Sequence, residues 1–178
     1  QNELKEVQDR LVEIAGDVTN VMKNATIAFT TSDVTVADQA IASADAISEK
    51  ALTLDELVIR ILARQSPVAR DLRILVSALR MSASLERMGA LASHIAQIAR
   101  FRFPGSAIPE ALKPVFEEMG KLDVELAKKI TKLLANPDVD VARAIQAEDE
   151  RVDELHRGVF ETVLADSWKE NAMFTVDV

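Results

Sequence analysis

Apolar residues recur along this chain at intervals of three and four, the signature of one buried face of an α-helix. From about Leu4 to Phe29 they fall at Leu4, Val7, Leu11, Ile14, Val18, Val21, Ala25 and Ala28. Thr31-Ser32-Asp33 breaks the pattern and offers helix caps. The same period returns at Ile41, Ala44, Ile47, Ala51, Leu54, Val58 and Ile61 and stops near Ser66-Pro67. There Ser66 is the expected N-cap of a third helix and Pro67 its first residue. That helix runs to about Arg102, with Val68, Leu72, Leu75, Leu79, Met88, Leu91, Ile95 and Ile98 as its expected buried stripe. Phe103-Pro104-Gly105-Ser106 ends it and is the clearest linker. A fourth helix is predicted over Pro109–Leu134 and a fifth over Val139–Ala165, separated by the turn Asn136-Pro137-Asp138. No stretch alternates with period two for long enough to predict a strand. Long antiparallel helices joined by short turns form a bundle, so the predicted class is all-α.

Shifting the sequence by 105 residues against itself lays the two halves on one another. Asp33-Val34-Thr35-Val36-Ala37 falls on Asp138-Val139-Asp140-Val141-Ala142. Val7 meets Leu112, Leu11 meets Phe116, Ile14 meets Met119, Val21 meets Leu126 and Ala25 meets Ile130. Ile47 meets Val152, Leu54 meets Val159 and Val58 meets Val163. Core stripe and turn coincide together, which indicates a tandem repeat of a three-helix bundle. The division is residues 1–103 for the first copy and 104–178 for the second. Pro67 maps to Ala172, so the second copy is expected to lack most of its third helix, about 29 residues on the repeat logic. Its two remaining helices are expected either to bury their groove against another chain or to be poorly ordered.

Composition narrows the function. Nearly half of the residues are apolar, Gly and Pro number five each, and Tyr is absent, a balance that suits long helices. With no cysteine, disulfides and thiolate metal sites are excluded and a cytoplasmic home is expected. A net charge of −8 argues against nucleic acid as a partner. No apolar run approaches the length of a membrane span, and no signal peptide is visible. Phosphate-cradling glycine loops and nucleophile elbows are absent, so no enzymatic site assembles. Charge is segregated: Pro67–Arg102 holds six basic and two acidic residues, whereas Glu117–Glu154 holds eleven acidic and six basic. The halves could present surfaces of opposite sign, or these could be solvated helix faces.

Two stretches of the third helix carry a resemblance. Gln65-Ser66-Pro67-Val68-Ala69-Arg70-Asp71-Leu72-Arg73 resembles the Q-P-x-A-R-D-L-R stretch of the PhoU family, and Leu85-Glu86-Arg87-Met88-Gly89-Ala90-Leu91-Ala92 resembles its L-E-R-I-G-D-x-A stretch. Two repeats of three helices also match that family's fold. Met88-Gly89-Ala90-Leu91-Ala92 followed by His94 looks most like the actinobacterial branch. The resemblance implies a non-catalytic adaptor that negatively regulates phosphate uptake and phosphate-starvation signalling. Its implied partners are a phosphate ABC transporter, through its ATPase, and a sensor histidine kinase, with contact to the membrane only through them. Homodimers or higher oligomers are implied as well. Arg70, Asp71, Arg73, Glu86 and Arg87 become the expected partner-binding residues. Read without the resemblance, Asp71 favours the helix dipole and the arginines form surface pairs worth about 0–1 kcal/mol.

Some family members bind divalent or iron clusters through E-x-x-x-D or D-x-x-x-D motifs. Here Glu86 is followed four residues on by Ala90, so that motif is broken and no cofactor is expected. The alternative is a metal-binding helical bundle, and its candidate ligands are Glu86, His94, Asp149, Asp153 and His156. Asp149 and Asp153 share a helix face, and Asp153 and His156 are three apart, loosely like half of a di-iron motif that finds no second copy. Trp168 is expected to cap the end of the second bundle.

Overall fold

The computed structural model describes residues 2–178, and among them there is no strand. Six helices follow one another: α1 Asn2–Thr31, α2 Val34–Gln65, α3 Ala69–Arg102, α4 Lys113–Ala135, α5 Val139–Val163 and the short α6 Ala172–Asp177. The fold is all-α, arranged as two bundles. Helices α1, α2 and α3 pack pairwise into the first, α4 lies on the far side of α1, and α5 packs against α4.

The first bundle holds most of the core. Val7, Leu11, Ile14, Val18, Val21, Ala25 and Ala28 of α1 meet Ala40, Ile47, Leu54, Val58 and Ile61 of α2, all buried. Matching caps form in the two halves. Asp33 accepts from the amide of Val36 at 3.0 Å, and its repeat counterpart Asp138 accepts from Asp140 and Val141 at 2.8 and 3.2 Å. Each satisfies amides that the first turn of its helix leaves unpaired.

Helix α3 departs from the expected stripe. Val68 is 76% exposed, and Leu72, Leu91 and Ile95 are exposed as well. Its buried seam is instead Leu75, Ala78, Ser82, Leu85, Gly89, Ala92, Ala96 and Ala99. The spacing alternates three and four without a break, a seven-residue repeat filled mostly with small side chains. Small residues let the helix axis come close to α1 and α2 and push the bulky residues to the flanks. At Gly89 an added Cβ would stand 3.2 Å from Ile47 Cδ1.

Ser66 does not cap α3. It closes α2 in the left-handed region at φ 43°, and Val68 takes the N-cap position without a side-chain bond. The linker after α3 is not loose: Ala107, Ile108 and Leu112 are buried, and the Ser106 hydroxyl donates to the Ile108 carbonyl at 2.9 Å. These turns delay α4 to Lys113, with Pro114 in its first turn. Helix α5 ends at Val163, two residues before the expected end, and of its residues only Val159 is buried.

Antiparallel contact between α1 and α4 joins the halves. Phe29 and Phe116 meet edge to face at 5.4 Å, and at the other end Gln8 donates to the carbonyls of Leu134 and Ala135 at 2.8 and 3.1 Å. Gln8 thereby satisfies carbonyls that the end of α4 leaves open. Helix α6 starts at the residue onto which the repeat maps Pro67. Arg102 at the end of α3 grips Asp177 through two bonds, one of them 3.0 Å long. Trp168 donates to the Thr175 hydroxyl at 2.9 Å, tying α6 to the segment before it.

Candidate functional site

The N-terminal turns of α3 carry Arg70, Asp71 and Arg73, all exposed. The chain reaches them from α2 through Ser66 and Pro67. Asp71 lies in the first turn, where a carboxylate is favoured by the helix dipole. Arg70 borders a cleft of about 690 Å³ between α1, α3 and the end of α4, whose walls include Leu4, Leu11, Ile74, Met81 and Leu134. The expected set is therefore not one patch. Glu86 and Arg87 sit roughly 20 Å further along the helix from Arg73 at 1.5 Å per residue. Arg87 points into solvent, while Glu86 is half-buried and turned toward Asp55 of α2. Burial raises the Asp55 carboxyl above its ordinary value; the Ser82 hydroxyl works against this and the Glu86 charge adds to it.

Fixing the small-residue seam as the inner face of α3 fixes the outer face too. Two residues before Leu75, Ser82, Gly89 and Ala96 come Arg73, Arg80, Arg87 and His94, one line along the side away from the core. All four are exposed. Arg80 was not among the expected residues; its seven-residue spacing to Arg73 and Arg87 was the available signal. Neither Arg70 nor any arginine of this line is in an ion pair among the described residues. By contrast Arg10 holds Glu6, Arg100 holds Asp38, Arg102 holds Asp177 and Arg151 holds Glu118.

The metal candidates do not come together. His94 is on α3, whereas Asp149, Asp153 and His156 are on α5. His156 lies edge-on to the Phe160 ring at 5.0 Å. Asp149 faces Asp123 of α4, a residue that the sequence reading did not single out. Burial pushes the Asp123 carboxyl up to about 6, with the Asp149 charge a second cause. Under the shift of 105 residues Asp123 falls on Val18, a fully buried core position, and that mapping was the signal for it. Asp123 and His94 border one cleft of about 500 Å³ whose other walls are mostly apolar: Met22, Ala25, Met88, Leu91 and Ile95. Among the described residues no three His, Asp or Glu side chains converge to hold an ion. The residues around Glu86 do not fit a multinuclear cluster: Ala90 supplies no oxygen where the motif has a carboxylate, and among the described residues no three His, Asp or Glu side chains group together there.

Comparison with known proteins places this architecture. The family described as PhoU domain matches residues 11–99 and again 116–177, once in each half. The phosphate-specific transport system accessory protein PhoU homolog 2 of Mycobacterium tuberculosis is 39% identical over 176 residues, covering 99% of this chain and 83% of that protein. The PhoU homolog 1 of Mycobacterium leprae is 37% identical over 176 residues, covering 99% and 79% respectively. The crystal structure of PhoU from Pseudomonas aeruginosa superposes with a TM-score of 0.85 at 26% identity, covering 92% of this chain and 78% of that one. With two matched copies of the domain, relatives alike over nearly its whole length and the same helical arrangement, this chain belongs to the PhoU family.

Proposed function

We propose that this chain is a negative regulator of phosphate uptake and of phosphate-starvation signalling, acting as a non-catalytic cytoplasmic adaptor. It docks between the ATPase of a phosphate ABC transporter and the cytoplasmic part of a sensor histidine kinase. Its mycobacterial relatives are named as accessory proteins of a phosphate-specific transport system, which supports a role in phosphate transport. The observation that carries the adaptor reading is the surface of α3. Arg70, Asp71, Arg73 and Arg87 stand exposed on one rigid helix, and among the described residues the arginines are in no ion pair. Free guanidinium groups on a rigid element are suited to grip carboxylates of another protein in bidentate fashion.

Other features support docking over chemistry. The two histidines lie on different helices, and neither is paired with a nucleophile and an orienting group. No helix among the described residues is long and apolar enough to cross a membrane. Contact with the membrane then comes through the partners.

The test is binding of the Arg70→Ala, Asp71→Ala double variant to the kinase's cytoplasmic domain and to the transporter ATPase. Both residues are exposed, so helicity by circular dichroism is expected to be unchanged. A loss of affinity of about tenfold or more is expected for at least one of the two. Unchanged affinity for both, with the fold intact, removes this end of α3 from the interface.

A further inference from the structure

Resting on the docking role above, we propose that the outer face of α3 is a seam for an acidic amphipathic helix of a partner protein, with Arg73, Arg80 and Arg87 pairing to carboxylates spaced seven residues apart. The three arginines repeat every seven residues, about 10.5 Å per step along the axis, with a drift of only some 20° per step. They form a nearly straight row opposite the buried seam. The floor between and beside them is short: Ser77, Ala83, Ser84 and Ala90 are all exposed and none rises above a hydroxymethyl group. A second helix can therefore lie close, with the guanidinium groups reaching up along its flank, as flanking charges do in coiled coils. Exposed Leu72 and Val76 supply apolar area at one edge.

Charge decides the chemistry of the occupant. In a chain of net charge −8, a row of like positive charges without ion pairs among the described residues calls for an acidic occupant. A second copy of this chain is the weaker fit. The acidic helix it could offer is α5, where Asp140, Glu148 and Glu154 already hold Arg143, Lys129 and Arg151, and the other carboxylates there, Asp149, Glu150, Asp153 and Glu161, include no two that are seven residues apart.

The probe is a fluorescein-labelled helical peptide with glutamates at every seventh position beside alanines. Its control has the same composition with the glutamates scrambled, and both are titrated against the whole chain by anisotropy. The patterned peptide is expected to bind about tenfold tighter, with a preference that fades at high salt. Arg80→Glu with Arg87→Glu is expected to abolish the preference, and the neutral pair Arg80→Gln, Arg87→Gln to reduce it with helicity retained. Charge reversal at Arg60 and Arg64 of α2, off the row, is expected to leave it unchanged. Equal binding of the two peptides, or a preference that survives both α3 variants, overturns the proposal. So does sedimentation showing self-association that Arg80→Glu disrupts, since a second copy then covers the face. Binding of the kinase domain and of the ATPase is measured with the same variants. Partner binding untouched by Arg80 and Arg87 removes the seam and leaves the adaptor role. A patterned preference without binding of either phosphate-system partner removes the adaptor role and leaves the seam.

Discussion

Gly120 of α4 lies against Thr26 of α1 with room for a hydrogen and nothing larger. A methyl group there would come within 3.0 Å of Thr26 Cβ and closer still to its Cγ2 and Oγ1. Thr26 cannot swing away cheaply, because its hydroxyl donates to the Met22 carbonyl at 2.9 Å and β-branched side chains are stiff. The contact belongs to the α1–α4 packing that joins the two halves. Gly120→Ala gains about 1 kcal/mol of helix propensity but faces overpacking of about 1–3 kcal/mol, with a stiff β-branched side chain rather than a flexible tip in the way. The expected result is a lower midpoint in urea unfolding. Adding Thr26→Ala removes the two closest atoms, Cγ2 and Oγ1, and leaves only the Cβ at 3.0 Å, so the double variant is expected to regain part of the loss. A Gly120→Ala protein as stable as the parent shows that the helices separate at little cost.

Asp123 makes stability depend on pH. Its folded value of about 6 lies above the ordinary carboxylate range because burial, and then the Asp149 charge, penalise ionisation. Between pH 4 and 6 the folded chain thus binds more protons than the unfolded one, and the contribution of this group falls as pH rises through that window. Above it the cost levels off at about 1–2 kcal/mol, allowing for solvent screening at a partly exposed group. Asp123→Asn removes the charge. It is expected to stabilise the chain at pH 7, to have little effect at pH 4, and to flatten the profile between. Chemical denaturation at half-unit pH steps reads this directly, and an unchanged profile shows that Asp123 is hydrated.

The helices were legible in the sequence because their apolar residues are large and regularly spaced. Helices α1 and α2 bury the residues expected of them, and Asp33 and Asp138 cap their helices at matching places in the two halves. Helix α3 was misread for a physical reason. A seam of Ala, Ser and Gly carries no hydropathy contrast, while Leu72, Leu91 and Ile95 do, so the eye follows the bulky residues onto the flank. Only packing shows that the small residues are inside. The row of Arg73, Arg80 and Arg87 gains meaning at the same moment, since it is defined by what lies opposite. Ser66-Pro67 misled similarly: Ser favours N-caps and Pro the first turn, yet Ser66 closes α2 in the left-handed region. The neighbourhood of His94 and Asp123 was beyond reach, because it depends on how α4 settles on α1.

Lys50 of α2 reaches two carboxylates of α1, Glu13 at 2.7 Å and Asp17 at 2.5 Å. The hydrogen bond to Asp17, then that to Glu13, raises its ammonium above the ordinary lysine value. A base with a raised folded value contributes stability that is fully present below its unfolded value and is lost as pH climbs through the folded one. The group is half-exposed, so the contribution is discounted to below about 1 kcal/mol. Lys50→Met is expected to lower stability by that amount at pH 7 and low salt, and by less at 1 M NaCl. A loss that salt does not change places the effect in the lysine stem's packing rather than in its charge.

Arg102 and Asp177 fasten α6 to the end of α3, and their side chains are among the least exposed of the paired charges, at 18% and 10%. The guanidinium meets both carboxylate oxygens, the bidentate geometry that Lys cannot reproduce. Around this pair the attachment is slight: Trp168 donates to Thr175, Asn171 caps Phe174 at 3.0 Å, and no residue of α6 is buried. A six-residue helix is too short to persist without tertiary support. Arg102→Lys is therefore expected to release α6, with hydrogen exchange at residues 172–177 rising to the rate of an open chain while α1, α2 and the rest of α3 keep their protection. Trp168 fluorescence is expected to shift to the red as its ring loses its neighbour. Asp177→Asn leaves one hydrogen bond in place and is expected to give an intermediate rate. If exchange in α6 is already at the open-chain rate in the parent, the pair does not hold the segment in solution, and neither substitution will change it.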